Sequence, residues 1–348
     1  MKVLFRADAS LAIGSGHIMR CLTLASELDT KGIHVEFACA QKPGHLIELI
    51  KSKGFVCHSL PFDENSSDNF AVSDADYTIG LLQLSKYDLV VVDHYELNDY
   101  WLKQVNQYTH KTLVIDDLAN RFLSCDYLLN QNYGVTEEDY FNLVAPHTKL
   151  LLGVEYSLLR NEFSEFRQQS LARNRQSEHK TLLINMGGID NDNITLQCLD
   201  SVDDIAHKDN YSLKVIMGKN APHVESIKER LQTLPIKSEL IIDCQNIAYQ
   251  MTHADIAIGA AGSTTWERFC LGLPSILVPI ADNQRVFINA LAADNLAIKV
   301  EMPEISNLAK IINDTNLDNT ITMLSDNTRA LIDGSGAQKV ADIIMGDY

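Results

Sequence analysis

At 348 residues the chain is too long for one ordinary core and about right for two domains. With 46% hydrophobic residues and ordinary glycine and proline content it reads as globular. A formal charge of −17 and the lack of any basic tract argue against nucleic acid and anionic membrane surfaces as partners.

The first residues, MKVLFRAD, enter a strand at once, with no apolar stretch of signal-peptide length, and no span of 18 or more apolar residues follows. A soluble, cytoplasmic protein without stable membrane association is expected. The strand "VLFRAD" (3–8) leads through the glycine-bearing "IGSGHIMRCLTLASEL" (13–28) into a helix whose Cys21, Leu24, Ala25 and Leu28 recur at helical spacing. Short apolar runs follow at 35–40, 56–60, 89–95, 112–117, 127–132 and 149–153. Such runs are typical of strands buried on both faces of a parallel sheet, with helices between them. From 160 to 180 the texture turns polar and charged, which reads as a helix plus linker and as the domain boundary. A second set of runs occupies 181–188, 213–218, 239–243, 256–261, 275–280 and 296–300. The economical reading is an α/β protein of two Rossmann-like domains, 1–158 and 181–348, joined by a linker at 159–180, with the C-terminal segment free to return to the first domain. The seven cysteines (Cys21, Cys39, Cys57, Cys125, Cys198, Cys244, Cys270) are odd in number and never form C-x-x-C, so reduced core residues are expected rather than zinc ligands or disulfides.

Ligands in such folds sit beyond the carboxyl ends of the strands. The first half offers Gly14, Gly16 and His17, then Asp93, His94 and Tyr95, then Asp116 and Asp117. A histidine in a helix's first turn feels the positive end of the dipole, which favours the neutral ring and leaves a nitrogen to accept a proton, as a general base requires. His94 reads either as a second ligand or as a loop hydrogen-bonder, with the structural role favoured. The acidic pair 116–117 reads as sugar-binding or turn-holding, away from any phosphate. In the second half, Gly187 and Gly188 end a strand and suit a phosphate contact or a hinge. In "GAAGSTTWE" (259–267) Gly262 lets the backbone approach a ligand, Ser263 or Thr264 can cap the following helix, and its free N–H groups make an anion site. Glu267, expected in that helix's first turn, can accept two hydroxyl hydrogens from a ribose diol. Asn283 and Gln284 follow the strand at 275–280 and can bond sugar hydroxyls, acetamido groups or phosphate without adding charge.

Taken together, "RADASLAIGSGHIMRCLTLASEL", "VVVDHY", "VIDDLANR", "LLLGVEYSLLR", "INMGGID" and "GAAGSTTWERFCLGLPSI" resemble the UDP-sugar hydrolases of pseudaminic acid biosynthesis, GT-B-fold relatives of the MurG glycosyltransferases. The likeness runs in order to about residue 300, and the spacing from Gln284 to Asn289 and Ala290 is similar to that of MurG-like enzymes. It implies a GT-B fold, two Rossmann-like domains facing a central cleft. It also implies UDP on the C-terminal domain, no metal or other cofactor, Tyr95 near the sugar, and catalysis by the histidine of G-x-G-H, here His17. The implied substrate is UDP-2,4-diacetamido-2,4,6-trideoxy-β-L-altropyranose, hydrolysed to UDP and the free sugar. A GT-B glycosyltransferase using a UDP-sugar donor, a hydrolase of a related UDP-diamino-sugar and a nucleotide-sugar-binding protein without chemistry are the alternatives. No heptad or exposed stripe points to an oligomer, so a monomer is expected.

Overall fold

The structure is a computed structural model that describes residues 1–62, 70–280 and 283–347; the side chains of 283, 302 and 303 lie outside that description. By its contacts the chain divides into two compact units, Met1–Leu159 with Ser335–Tyr348, and Arg160–Gly334.

The first unit holds a seven-stranded sheet built from β1 (Lys2–Ala7), β2 (His34–Ala40), β3 (Val56–Leu60), β4 (Leu89–Asp93), β5 (Lys111–Ile115), β6 (Tyr127–Asn130) and β7 (Lys149–Leu152). Its order is β3-β2-β1-β4-β5-β6-β7, and every neighbouring pair is parallel. Strand alternation sends the two faces of β1 to different cores. Val3, Phe5 and Ala7 pack with Cys21, Leu24 and Leu28 of the Gly16–Thr30 helix and with Val340, Ala341 and Ile344 of the Gly336–Gly346 helix. Leu4 faces the other way, toward Trp101 and Leu102. Arg6, on that second face, is fully buried yet satisfied, bonded to Asp8 at 2.5 Å and to Asp74 at 2.5 Å, while the Trp101 indole donates to Asp74 at 2.8 Å. A buried charge survives there because both of its neighbours are opposite charges with matching geometry.

The second unit repeats the plan with β8 (Lys180–Asn185), β9 (Tyr211–Met217), β10 (Lys237–Ile242), β11 (Ile256–Ala260), β12 (Ser275–Val278) and β13 (Ile298–Lys299), in the all-parallel order β10-β9-β8-β11-β12-β13. Both units therefore carry the Rossmann strand order, 3-2-1-4-5-6, with one strand added in the first. Every apolar run became a strand, and several end before their run does. His94 and Tyr95, Asp116 and Asp117, and Gly187 and Gly188 all fall past the last paired residue, where polar or flexible groups leave the ladder for a loop. The Asn161–Leu171 helix counts with the second unit, where Ser170 Oγ donates to the Leu271 carbonyl at 2.8 Å. All seven cysteines are free; five are buried, while Cys57 and Cys244 are half-exposed and so depart from the expected core placement. Among the described residues, no helix is long and apolar enough to cross a membrane.

Candidate functional site

In each sheet the strand order reverses once, between β1 and β4 and between β8 and β11, and crevices open at the carboxyl ends of such pairs. Most of the sequence-derived candidates lie at these two points, while Asp116 and Asp117 follow β5 and Asn283 and Gln284 follow β12. After β1 the chain makes a tight turn in which Gly14 N–H donates to the Ser10 carbonyl at 2.9 Å and Ser10 Oγ accepts from the N–H groups of Ala12 and Ile13, both at 3.2 Å. Gly14 holds φ +75°, a left-handed conformation that favours glycine. The Gly16–Thr30 helix then begins, and His17 is its second residue, turned inward and 7% exposed.

His17 Nδ1 lies 2.6 Å from Asp93 Oδ1 at the end of β4. An ionised carboxylate only accepts, so in the neutral ring Nδ1 carries the hydrogen and Nε2 keeps its lone pair. Nε2 makes no hydrogen bond among the described residues. One turn along the helix, Arg20 grips the same carboxylate through Nε at 2.6 Å and Nη2 at 2.7 Å, and reaches Asp117 through Nη1 at 3.0 Å. Burial alone would favour the neutral acid at Asp93, but the Arg20 guanidinium and then His17 hold its carboxyl well below the usual range. Tyr95 stands edge-on to the His17 ring with centroids 4.7 Å apart, and its hydroxyl donates to Asp117 at 3.1 Å. Burial and then Asp117 push its phenol upward, so it remains a donor. A histidine, a carboxylate and an arginine are thus joined, with a half-exposed tyrosine beside them.

The neighbouring polar residues sort differently. His94 Nδ1 accepts from the Glu96 N–H at 3.1 Å and Nε2 faces Asp8 at 3.2 Å, so it ties a loop to the end of β1. Burial lowers its proton affinity. Asp8 takes Arg6, His94 and the Ala40 N–H, leaving Asp93 as the carboxylate on His17. Asp116 holds a turn, accepting from the N–H groups of Leu118 and Ala119 and from Tyr140. Asp117 instead joins the His17 cluster.

In the second unit Gly187 (φ +94°) and Gly188 follow the end of β8, and Gly262, two residues past the end of β11, caps the Ser263–Cys270 helix. A Cβ placed on Gly16, Gly188 or Gly262 would meet nothing within 4 Å, so packing does not demand glycine at those positions. Ser263 and Thr264 are the first two helical residues rather than caps; the side chain used is that of Thr265, whose Oγ1 accepts from the Gly262 N–H at 3.3 Å. The amides of Ser263 and Thr264 have no acceptor within the helix. Glu267 is the fifth helical residue, so its expected first-turn position is corrected to the second turn, where dipole support is weak. Its Oε1 accepts from Arg160 Nη2 at 3.1 Å. Burial raises its carboxyl, and Arg160 offsets only part of that. Gln284 Oε1 accepts from the Ile280 N–H at 3.0 Å, and its amide nitrogen makes no hydrogen bond among the described residues. Asn283 opens the Asn283–Ala293 helix, and its side chain falls outside the described residues.

The sequence alone gives no role to Arg20 or Arg160. Arg20 was detectable as a charge three residues after His17 on a helix with a buried face; Arg160 carried no signal, since its partner lies 107 positions away.

Residues 181–344 match the glycosyltransferase family 28 C-terminal domain. The chain is 30% identical over 271 residues to the UDP-2,4-diacetamido-2,4,6-trideoxy-beta-L-altropyranose hydrolase of Campylobacter jejuni, covering 78% of this chain and 89% of that protein. It is 23% identical to the spore coat polysaccharide biosynthesis protein SpsG of Bacillus subtilis, over 98% and 97% of the two chains. A match at 24% identity to the Methanocaldococcus jannaschii protein MJ1062 covers 82% of this chain but only 57% of that longer protein. Among solved structures, Acinetobacter baumannii MurG superposes with a TM-score of 0.65 at 16% identity, covering 99% of this chain and all of MurG. The UDP-GlcNAc 2-epimerase of Neisseria meningitidis gives 0.65 at 14% identity, covering 99% of this chain and all of the epimerase. The fold is that of these GT-B proteins.

Proposed function

The chain belongs to the family of the Campylobacter jejuni hydrolase, and from that premise we propose that it hydrolyses UDP-2,4-diacetamido-2,4,6-trideoxy-β-L-altropyranose to UDP and the free 2,4-diacetamido-2,4,6-trideoxy-L-altrose. The observation that carries the reading is the His17–Asp93 pair, with Nδ1 committed and Nε2 available. His17 Nε2 takes a proton from water as the water oxygen bonds to the anomeric carbon and the bond from that carbon to the diphosphate oxygen breaks. A single displacement inverts the anomeric centre. UDP leaves with its charge met by the amides of Ser263 and Thr264 at a helix N-terminus, and the open space over Gly262 suits a close backbone approach. Gly187 and Gly188 stand at the matching strand end, Gln284 supplies amide donors, and Tyr95 lines the sugar beside His17. Gly14 and Gly16 shape the loop in front of the base.

A second reading draws on the family 28 domain and the MurG fold: a glycosyltransferase in which His17 deprotonates an acceptor hydroxyl. Incubation of the purified protein with the UDP-sugar in ¹⁸O-labelled water, without any acceptor, separates the two. The hydrolase releases UDP and places the label in the sugar. Label in the UDP means attack at phosphorus and sinks the mechanism; turnover only on adding an acceptor establishes the transferase.

Glu267 Oε2 makes no hydrogen bond among the described residues and can accept from ribose. Glu267→Ala should weaken UDP binding by about 1.5–3 kcal/mol, the usual effect of losing a hydrogen bond to a charged group. Calorimetry measures this, and an unchanged affinity removes Glu267 from the site.

A further inference from the structure

Behind the β11–Gly262 turn lies a charge that no carboxylate among the described residues neutralises. Arg268 is 1% exposed and sits on the inner face of the Ser263–Cys270 helix. Its side chain runs back toward the helix start, as helical side chains do. There Nη2 donates to the Ala260 carbonyl at 2.7 Å and to Thr265 Oγ1 at 3.1 Å. Nε is buried and has no hydrogen-bond partner among the described residues. Room for this guanidinium is built into the strand, since a Cβ on Gly259 would fall 2.1 Å from Nη1. The nearest acid, Glu267, is bonded to Arg160 instead. Burial accordingly pulls Arg268 down to about 10, with Glu267 only partly opposing it. The contrast with Arg6 is instructive, because that equally buried arginine is flanked by two carboxylates. An isolated ion in a low-dielectric interior costs several kcal/mol, and an opposite charge brought close restores part of it.

We propose that Arg268 is a positioning residue whose uncompensated charge, set beneath the Gly262–Thr264 turn, is completed by the phosphates of a nucleotide diphosphate on the other side of the backbone. It does not touch the ligand. It acts through the turn it supports, adding a full positive charge behind amides that carry only partial ones. The inference rests on the reading of this unit as nucleotide-binding. It assigns discrimination by phosphate charge to a side chain that no ligand contact would reveal.

The test compares calorimetric affinities for UDP, UMP and uridine, which share base and ribose and differ in phosphate charge. In Arg268→Met and Arg268→Gln the ratio of UDP to uridine affinity should fall at least tenfold, with UMP between, while uridine binding stays within threefold. Arg268→Lys, which keeps the charge, should stay within threefold of the parent ratio. A parent-like ratio in the neutral variants, or equal losses for UDP and uridine, overturns the proposal. Should both neutral variants fail to fold, the Arg268 Nε–H resonance of the parent, assigned by its absence in Arg268→Lys, decides. It should shift on adding inorganic pyrophosphate, and a resonance unmoved at saturation overturns the proposal. A parent that binds UDP while the variant ratios hold defeats this inference alone. A parent that binds neither UDP nor pyrophosphate defeats the nucleotide reading as well.

Discussion

Replacing His17 by asparagine should lower kcat on the UDP-sugar by about 10²- to 10⁴-fold, the usual effect of removing a general base, while UDP affinity stays within a few-fold. The separation follows from where the residues sit. His17 belongs to the first unit, and every group proposed to hold the nucleotide belongs to the second. The variant should fold, since asparagine is acceptable near a helix N-terminus and the His17 ring makes one ring contact, a short bond to Asp93 and a long contact with Arg20. Single-turnover kinetics with calorimetry of UDP measure both halves of the statement. Turnover near that of the parent would reduce His17 to a structural residue at the start of its helix.

Asp93→Asn should be nearly as damaging, by roughly 10³- to 10⁴-fold in kcat, for a reason of tautomer rather than of lost contact. The asparagine amide can donate to Nδ1, which then becomes the acceptor and moves the ring hydrogen to Nε2, the nitrogen that has to take the proton from water. The same change leaves Arg20 without one of its two carboxylates, so a lower melting temperature should accompany the kinetic effect. Asp117→Asn serves as the control, because it weakens Arg20 from the other side and leaves the His17 tautomer alone. A kcat loss from Asp117→Asn as large as that from Asp93→Asn would mean that the cluster acts by rigidity and not by tautomer selection.

The sheets were legible because parallel strands are buried on both faces. Runs such as Leu89–Asp93 and Ile256–Ala260 are apolar without interruption and could hardly be anything else. The strand-end positions of His17 and Gly262 followed directly from that layout. What could not be read was pairing across the sheet. Asp93 lies 76 residues from His17, and the two meet only because β4 lies beside β1. Cap position was lost for a local reason. Gly262, Ser263 and Thr264 are three consecutive residues that each favour an N-cap, and the choice among them decides whether Glu267 falls in the first turn or the second. Arg268 carries no signal in the sequence, where a charged residue after a glutamate in a short helix reads as solvent-facing, and only the packing shows that it points inward.

The Gly336–Gly346 helix, whose Val340, Ala341 and Ile344 close the core over Val3, Phe5 and Ala7, has a consequence for the order of events during synthesis. All seven strands of the first sheet leave the ribosome before any residue of the second unit, yet one face of that sheet is covered only in part, by the Gly16–Thr30 helix and its neighbours, until residues 336–346 have followed. The second unit, by contrast, is one uninterrupted stretch that takes no segment from outside itself. The domain made first is therefore the domain finished last, and a nascent chain halted anywhere before residue 336 displays an unsealed apolar surface of the kind that chaperones bind.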